Sequence, residues 1–338
     1  LVPKSQVRLH LPEPDYSRPP LKMSSEQVEP IMENLGLLYG KEGAEACFSE
    51  LERIMQVFYA HKTPEMVKDD RNFRRSDWFT EKDVVLITYG DLIKREGWKP
   101  LEALISVAED NDQFGINSIH LLPFFPYSSD RGFSIIDYEE VDPRLGSWDD
   151  IEKVGLKYKL RFDGVFNHIS AKSKWFQEFL NGNPKFEDYF IKFSTRKAIP
   201  EDYRRLILRP RTSNLLTGFD SIRGRKYVWT TFSPDQIDLN FQNKEVLLRI
   251  VEILLLYVRR GADIIRLDAV TYMWCELGTT CALLEESHIL VRLFRAVLNV
   301  VAPQVALITE TNVPHEDNIS YFGDGSNEAQ MVYNFALP

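Results

Sequence analysis

Cysteine is scarce in this chain: Cys47, Cys275 and Cys281 are the only three in 338 residues. That is too few for a disulfide framework, and the odd count and irregular spacing offer no metal-binding set, so the pattern argues for a reducing cytoplasm rather than secretion. Long apolar runs are also missing. The stretch from Ile250 to Val258 is broken by Glu252 and bounded by Arg249 and Arg259, too short for a membrane span. No signal-peptide pattern is visible. Positive charge is not in excess: the net charge of −9 argues against nucleic acid or an anionic membrane as a partner. A glycine-rich strand–turn–helix signature and a P-loop are both absent, which excludes the usual nucleotide-binding enzymes. What remains is an ordinary globular composition, 44% hydrophobic and 27% charged.

The informative run is Gly261-Ala262-Asp263-Ile264-Ile265-Arg266-Leu267-Asp268-Ala269-Val270. A helix stops at glycine and a short apolar strand follows, carrying Arg266 and Asp268 two residues apart. Side chains alternate along a strand, so these two share a side. A cation beside a carboxylate favours its ionised form, which a nucleophile needs, although structural ion pairs also look like this. Two other segments repeat the arrangement. One is Arg161-Phe162-Asp163-Gly164-Val165-Phe166-Asn167-His168, and the other is Val305-Ala306-Leu307-Ile308-Thr309-Glu310-Thr311-Asn312. Three strands thus end in Asp163, His168, Arg266, Asp268 and Glu310, and in a parallel α/β barrel such ends meet on one face.

The rest of the chain has the same rhythm. Strands are expected over 84–89, 117–122, 159–165, 305–309 and 331–335, and from Gly261 through Arg266 and Asp268, with helices over 100–112, 244–260 and 285–301 between them. Strand–helix alternation means right-handed parallel units. Residues 1–20 hold five prolines and read as an arm, and 24–60 read as helix. Residues 171–229 break the alternation and are too long for an ordinary loop. The expected divisions are therefore an arm and helical preface (1–82), strands one to three (83–170), an insertion (171–229) and strands four to six (230–338).

The three strand-end segments resemble the first three signature regions of the α-amylase-type glycosidases, glycoside hydrolase family 13. Further motifs resemble its phosphorylase branch, the sucrose and glucosylglycerate phosphorylases: Ile87-Thr88-Tyr89-Gly90-Asp91, Leu121-Leu122-Pro123-Phe124-Phe125-Pro126, Asp130-Arg131-Gly132-Phe133, the stretch 143–150, and Phe232-Ser233-Pro234-Asp235-Gln236-Ile237-Asp238-Leu239-Asn240. The likeness runs from about residue 83 onward. It implies a (β/α)8 TIM barrel of the α-amylase type with a small domain inserted after strand three. Six strands are found here where eight are needed. The family's fourth signature region would fall beyond Pro338, and the chain opens on Leu1 rather than Met, so a piece of a longer protein is expected.

Two carboxylates flanking a glycosidic bond act as nucleophile and acid/base with retention. Asp268, beside its arginine, suits the nucleophile. Glu310 ends an apolar strand, where burial would raise its pKa toward that of a proton donor; the resemblance implies the same two roles. It also implies a sugar grip: His168 and Arg266 on the donor glucose, Asp130 on its far hydroxyls, and Phe133 nearby. Phe232 and Gln236 would line the donor and acceptor site. Asp163 and Asn167 are expected to be structural, and His120 a hydrogen-bonded core histidine. Within 203–226 lie seven cations against the single acid Asp220. Most belong on a solvated face, but Arg211 matches the branch's phosphate-binding loop, with inorganic phosphate as co-substrate and no cofactor. The run Thr311-Asn312-Val313-Pro314 after Glu310 is closer to the glucosylglycerate phosphorylases. The expected reaction is reversible phosphorolysis of 2-O-α-D-glucosyl-D-glycerate to α-D-glucose 1-phosphate and D-glycerate. The alternatives are a sucrose or sucrose-phosphate phosphorylase, an α-glucosidase, or, in another class, an inactive fragment or a non-catalytic carbohydrate-binding barrel.

Overall fold

A computed structural model describes residues 13–110 and 115–335. The first twelve residues of the proline-rich arm lie outside the described residues. Helix α1, Ser25–Ala60, is kinked at Gly40 and precedes α2, Pro64–Asn72. Then come β1 (Val85–Thr88), α3 (Pro100–Asp110), β2 (Ser118–Leu121), α4 (Trp148–Gly155) and β3 (Lys159–Gly164). The chain next leaves the alternation through β4 (His168–Ser170), α5 (Lys174–Leu180), β5 (Lys192–Phe193), α6 (Glu201–Leu206), β6 (Leu216–Ser221), β7 (Gly224–Trp229) and β8 (Gln236–Asp238). It resumes with α7 (Lys244–Arg259), β9 (Ala262–Leu267), α8 (Glu285–Val301), β10 (Ala306–Thr309), α9 (His315–Ser320) and β11 (Met331–Val332).

Six of these strands form one sheet in the order β1-β2-β3-β9-β10-β11, every pair parallel. This is the sheet that the six expected strands make, curled as the α/β barrel reading requires. Its central strands are buried almost throughout because both faces are covered. Alternation sorts the two faces. Ile119, Leu121, Leu160, Phe162, Ile265, Leu267 and Leu307 point outward into one large core shared with the helices, α1 included. Ile264, Ala306 and Ile308 point the other way and pack with Trp78, Phe79, Met331 and Tyr333. His120, Arg161, Asp163 and Arg266 share the second face by the same period of two.

The last strand is shorter than expected, ending at Val332 rather than Phe335. Among the described residues it pairs with β10, through Met331 with Ile308 and Val332 with Thr309. Helix α7 ends where its glycine was expected to stop it, Gly261 taking φ 99. The helical preface is not a separate body: Ile31, Leu35, Leu51 and Phe58 enter the barrel's outer core, with α1 lying against α7 and α8. Among the described residues no helix is long and apolar enough to cross a membrane.

The excursion between β3 and β9 has its own centre. Strands β5, β7 and β6 form an antiparallel sheet over Ile199, Leu216 and Trp229. Its stalk is the antiparallel pair β4–β8, in which His168 faces Asp238 and Ser170 faces Gln236.

One turn beside this stalk is tightly constrained. Asp130, Arg131 and Gly132 all have positive φ, and a Cβ at Gly132 would lie 2.6 Å from the Pro123 carbonyl oxygen. Gly132→Ala is expected to cost about 2–4 kcal/mol, from backbone strain and overpacking together. Denaturant midpoints of the two proteins measure this.

Candidate active site

The acidic residues of the sheet converge because of strand register. Asp163 of β3 pairs with Arg266 of β9, and Arg266 with Ile308 of β10, so Glu310, two residues on, falls beside Arg266. The ladder continues past the strand ends: the Asp268 N–H donates to the Gly164 carbonyl at 3.1 Å, and the Glu310 N–H to the Leu267 carbonyl at 3.0 Å. Both carboxylate-bearing residues are therefore fixed by backbone bonds rather than carried on loose loops.

Arg266 is the hub. Its Nη1 donates to Asp163 at 2.5 Å and to Asp268 at 2.8 Å, while Nη2 lies 3.8 Å from Glu310. Its guanidinium also sits over the rings of Phe133 and Tyr333, 5.5 and 5.4 Å from their centroids. Burial would lower the Arg266 pKa, but the charges of Asp268 and Asp163 outweigh it and hold the side chain firmly cationic. Asp163 is fully buried. Burial alone would raise its pKa, yet the charges and hydrogen bonds of His120 and Arg266 hold it below the usual carboxylate range. His120 meets Asp163 at 2.9 Å, and burial pushes its own pKa down, so Arg266 is the lasting charge partner.

Glu310 is tuned the opposite way. Burial raises its pKa and the nearby Asp268 charge adds to the effect, against the pull of Arg266. The Ala269 N–H donates to its Oε2 at 3.2 Å, a bond made available by the left-handed turn at Ala269, φ 51. One carboxylate thus lies directly on the arginine while its neighbour is held toward the protonated form. A buried carboxyl group with a raised pKa suits a proton donor.

The second half of the site hangs on the stalk. His168 Nε2 meets the Phe133 carbonyl at 2.8 Å, and Asn167 Nδ2 approaches His168 Nδ1 at 3.2 Å and donates to Asp238 at 3.2 Å. Those contacts assign the proton to Nε2, with Nδ1 accepting. Gln236 Nε2 donates to Asp130 at 3.1 Å and lies 3.2 Å from His168 Nε2. The His168 ring lies 5.2 Å from the Phe232 ring, which meets Tyr272 edge-on at 5.5 Å. Asp130, Phe133, His168, Phe232 and Gln236 are therefore one contact network, joined to Arg266 through Phe133.

Arg211 is not brought into this network. It is exposed and makes no hydrogen bond or ion pair among the described residues. Its neighbour Arg209 is the engaged one, donating to the carbonyls of Ser213, Thr230 and Thr231, while Ser213 Oγ donates to the Phe232 carbonyl. The remaining cations disperse into local contacts: Arg225 with Asp220, Arg223 with Glu187, Arg205 with Glu201, and Arg204 with the Arg196 carbonyl.

Four residues were not anticipated. Tyr333 sits between Arg161 and Arg266, and Tyr272 backs Phe232. Arg209 pins the loop before β6. Asp238 accepts from Thr231 and Asn167, and burial pushes its pKa up to about 6. Only Tyr333 left a signal, since it follows Met331 by two and so shares its inward face. No group of three or more His, Cys, Asp or Glu among the described residues is arranged to hold a metal ion.

The α-amylase catalytic-domain model matches residues 105–338. The chain belongs to the α-amylase family. Within this family it is 47% identical to a protein of Allomeiothermus silvanus named glucosylglycerate phosphorylase, over 94% of this chain and 54% of that protein. A sucrose phosphorylase of Agrobacterium vitis is 33% identical over 76% of this chain and 52% of that protein. Among solved structures, the sucrose 6F-phosphate phosphorylase of Thermoanaerobacter thermosaccharolyticum superposes with a TM-score of 0.68 at 28% identity, covering 78% of this chain and 54% of that one. The chain spans about half the length of the curated relatives it matches. Its six parallel strands are the part of the α-amylase barrel that it carries.

Asp163→Asn removes one anion from beside a buried guanidinium, and the expected loss is about 3–5 kcal/mol at pH 7. Asp163 has a depressed pKa in the folded state, so its contribution is present above the unfolded value and fades as pH falls through the folded one. The stability gap between the two proteins should therefore close as pH drops below about 4. Urea midpoints at pH 7 and at pH 3 test this, and an unchanged gap would contradict it.

Proposed function

We propose that this protein is a retaining α-glucosyl phosphorylase acting on 2-O-α-D-glucosyl-D-glycerate. The observation that carries the acceptor is the identity to relatives named glucosylglycerate phosphorylase, which exceeds that to the sucrose phosphorylase by a wide margin. In this reading Asp268 attacks the anomeric carbon while Glu310 protonates the glycosidic oxygen, and D-glycerate leaves. Phosphate then attacks the same carbon, giving up its proton to Glu310, and Asp268 departs to leave α-D-glucose 1-phosphate. Arg266 orients the nucleophile and meets the charge that shifts between the two carboxylates. The raised Glu310 pKa, with burial as its first cause, supports the acid role.

Asp130, His168 and Gln236 hold the glucosyl unit in this proposal, with Phe133 and Phe232 as its apolar walls. Arg211, exposed and unpaired among the described residues, is the cation we assign to phosphate or to the glycerate carboxylate. No cofactor is invoked, and the cysteine usage supports a reducing cytoplasm as the setting.

The test is phosphate release from α-D-glucose 1-phosphate with D-glycerate, fructose, fructose 6-phosphate or water as acceptor. Release with D-glycerate, absent in Asp268→Asn, is the expected result. Free glucose formed without need of phosphate would indicate a glucosidase instead. Glu310→Gln should lower kcat about 10²–10⁴-fold. In the unmutated protein, glucosyl transfer that needs protonated Glu310 should fall as pH rises through its elevated pKa. A pH–rate profile whose alkaline limb survives in Glu310→Gln would remove Glu310 from that role.

A further inference from the structure

Arg266 is hydrogen-bonded through one nitrogen. Its Nη1 serves both Asp163 and Asp268, whereas Nη2 makes no hydrogen bond among the described residues and lies 3.8 Å from Glu310. A guanidinium fixed at one nitrogen can pivot about it, and the pivot sets how near Nη2 comes to Glu310. Two rings oppose that motion, with the guanidinium carbon 5.5 Å from the Phe133 centroid and 5.4 Å from that of Tyr333. Phe133 belongs to the half assigned to the sugar, where its carbonyl meets His168. Tyr333 belongs to the barrel.

Tyr333 is tied down at its backbone and at its hydroxyl. Its N–H donates to the Thr309 carbonyl at 3.3 Å, one residue before Glu310, and its carbonyl accepts from Asn318 Nδ2 at 2.6 Å. The hydroxyl accepts from Arg161 Nη2 at 3.1 Å, and the Arg161 guanidinium lies 5.3 Å from the centroid of the same ring. Arg161 is buried, and among the described residues its side chain makes that one hydrogen bond and no ion pair. Burying a cation with no carboxylate in contact costs stability, so packing alone does not account for it. As a charge-assisted tether for the ring, it has a use.

We propose that Tyr333, tethered by Arg161, is a positioning residue that fixes the tilt of Arg266 and so the distance from Nη2 to Glu310. This rests on the roles proposed above for Asp268 and Glu310 in glucosyl transfer. Tyr333 acts through the arginine and takes no part in bond-making. The charged and titratable groups that bear on Glu310 are Arg266 and Asp268 from β9 and its end, Asp163 from β3, and Tyr272 from the following turn. Arg266 is the one cation among them, opposing burial and the two aspartates. If Nη2 retreats, that opposition weakens and the Glu310 proton is held more tightly.

The experiment compares two variants of the full chain. Tyr333→Phe keeps the ring and drops the tether; Tyr333→Leu removes the ring. One readout is kcat and KM for phosphate release from α-D-glucose 1-phosphate with D-glycerate, followed across pH. The other is an infrared titration of the Glu310 carboxyl, whose band is assigned by its loss in Glu310→Gln and which needs no turnover. In Tyr333→Leu, kcat should fall about 10²-fold with KM within about twofold, the expected result of misplacement by about 1 Å beside an intact sugar grip. The alkaline limb and the infrared midpoint should both move up by about one pH unit, the effect of drawing a charge back from about 4 to about 6 Å at an effective dielectric of about 20. Tyr333→Phe should move in the same direction by less, and it decides the matter if Tyr333→Leu does not fold. A folded Tyr333→Leu with unchanged kcat would overturn the proposal. So would a loss of stability and rate in which neither midpoint moves, since that is the mark of a merely structural residue. A protein that turns over no acceptor but whose Glu310 midpoint still shifts would sink the phosphorylase reading while supporting the positioning role.

Discussion

Everything at the open end of the sheet is arranged around one guanidinium. Arg266 reaches Asp163 and Asp268 with a single nitrogen and lies within 4 Å of Glu310 with the other. Three carboxylates this close would repel one another in a buried setting, and at least one would take up a proton. The arginine allows two of them to share the site, and the third, Glu310, is the one left with a raised pKa. The chemistry we propose needs that asymmetry: one carboxylate to attack, the other to carry a proton.

The arginine itself depends on how the strands are sorted. It sits on the inward face of β9, where its neighbours are polar or aromatic, while the outward residues of the same strands merge with the helices in a continuous apolar core. Asp163 and His120 behind it complete a buried polar chain with no direct part in bond-making. Their service is to hold the guanidinium still. The half that we assign to the sugar is positioned differently, by the antiparallel stalk that carries the small domain. Because His168 and Gln236 stand on its two strands, the excursion that interrupts the barrel also delivers half of the site. Arg209 and Asp238 brace that stalk and the Phe232 loop from behind, through carbonyls, Thr231 and Asn167.

Local patterns announced a good part of this. Strand and helix limits for β2, β3, α7, β9, α8 and β10 could be read within a residue or two, because their apolar periods are clean and Gly261 marks a stop. The final strand was overestimated: its composition favours extended chain as far as Phe335, but its pairing with β10 covers only Met331 and Val332. In the site, residues at strand ends were legible and residues arriving from loops were not. Tyr272 and Arg209 lie in irregular segments, where sequence carries no period to say which way a side chain points. Cys275 and Cys281 gave only an odd thiol count, and their place at the small domain's core comes from a loop folding back onto it.

What the sequence determined by itself is the set of strands, their parallel order, and the face each side chain takes, because alternation along a strand is a local rule with a period of two. That was enough to put Arg266, Asp268 and Glu310 at the same end of neighbouring strands. Which acids share the cation, and which way the pKa values of Asp163 and Glu310 move, was decided only by the tertiary structure. Those outcomes depend on register between strands about a hundred residues apart, as between Asp163 and Arg266. Charge interactions and desolvation follow distance in space, and the chain sets that distance only once it is folded.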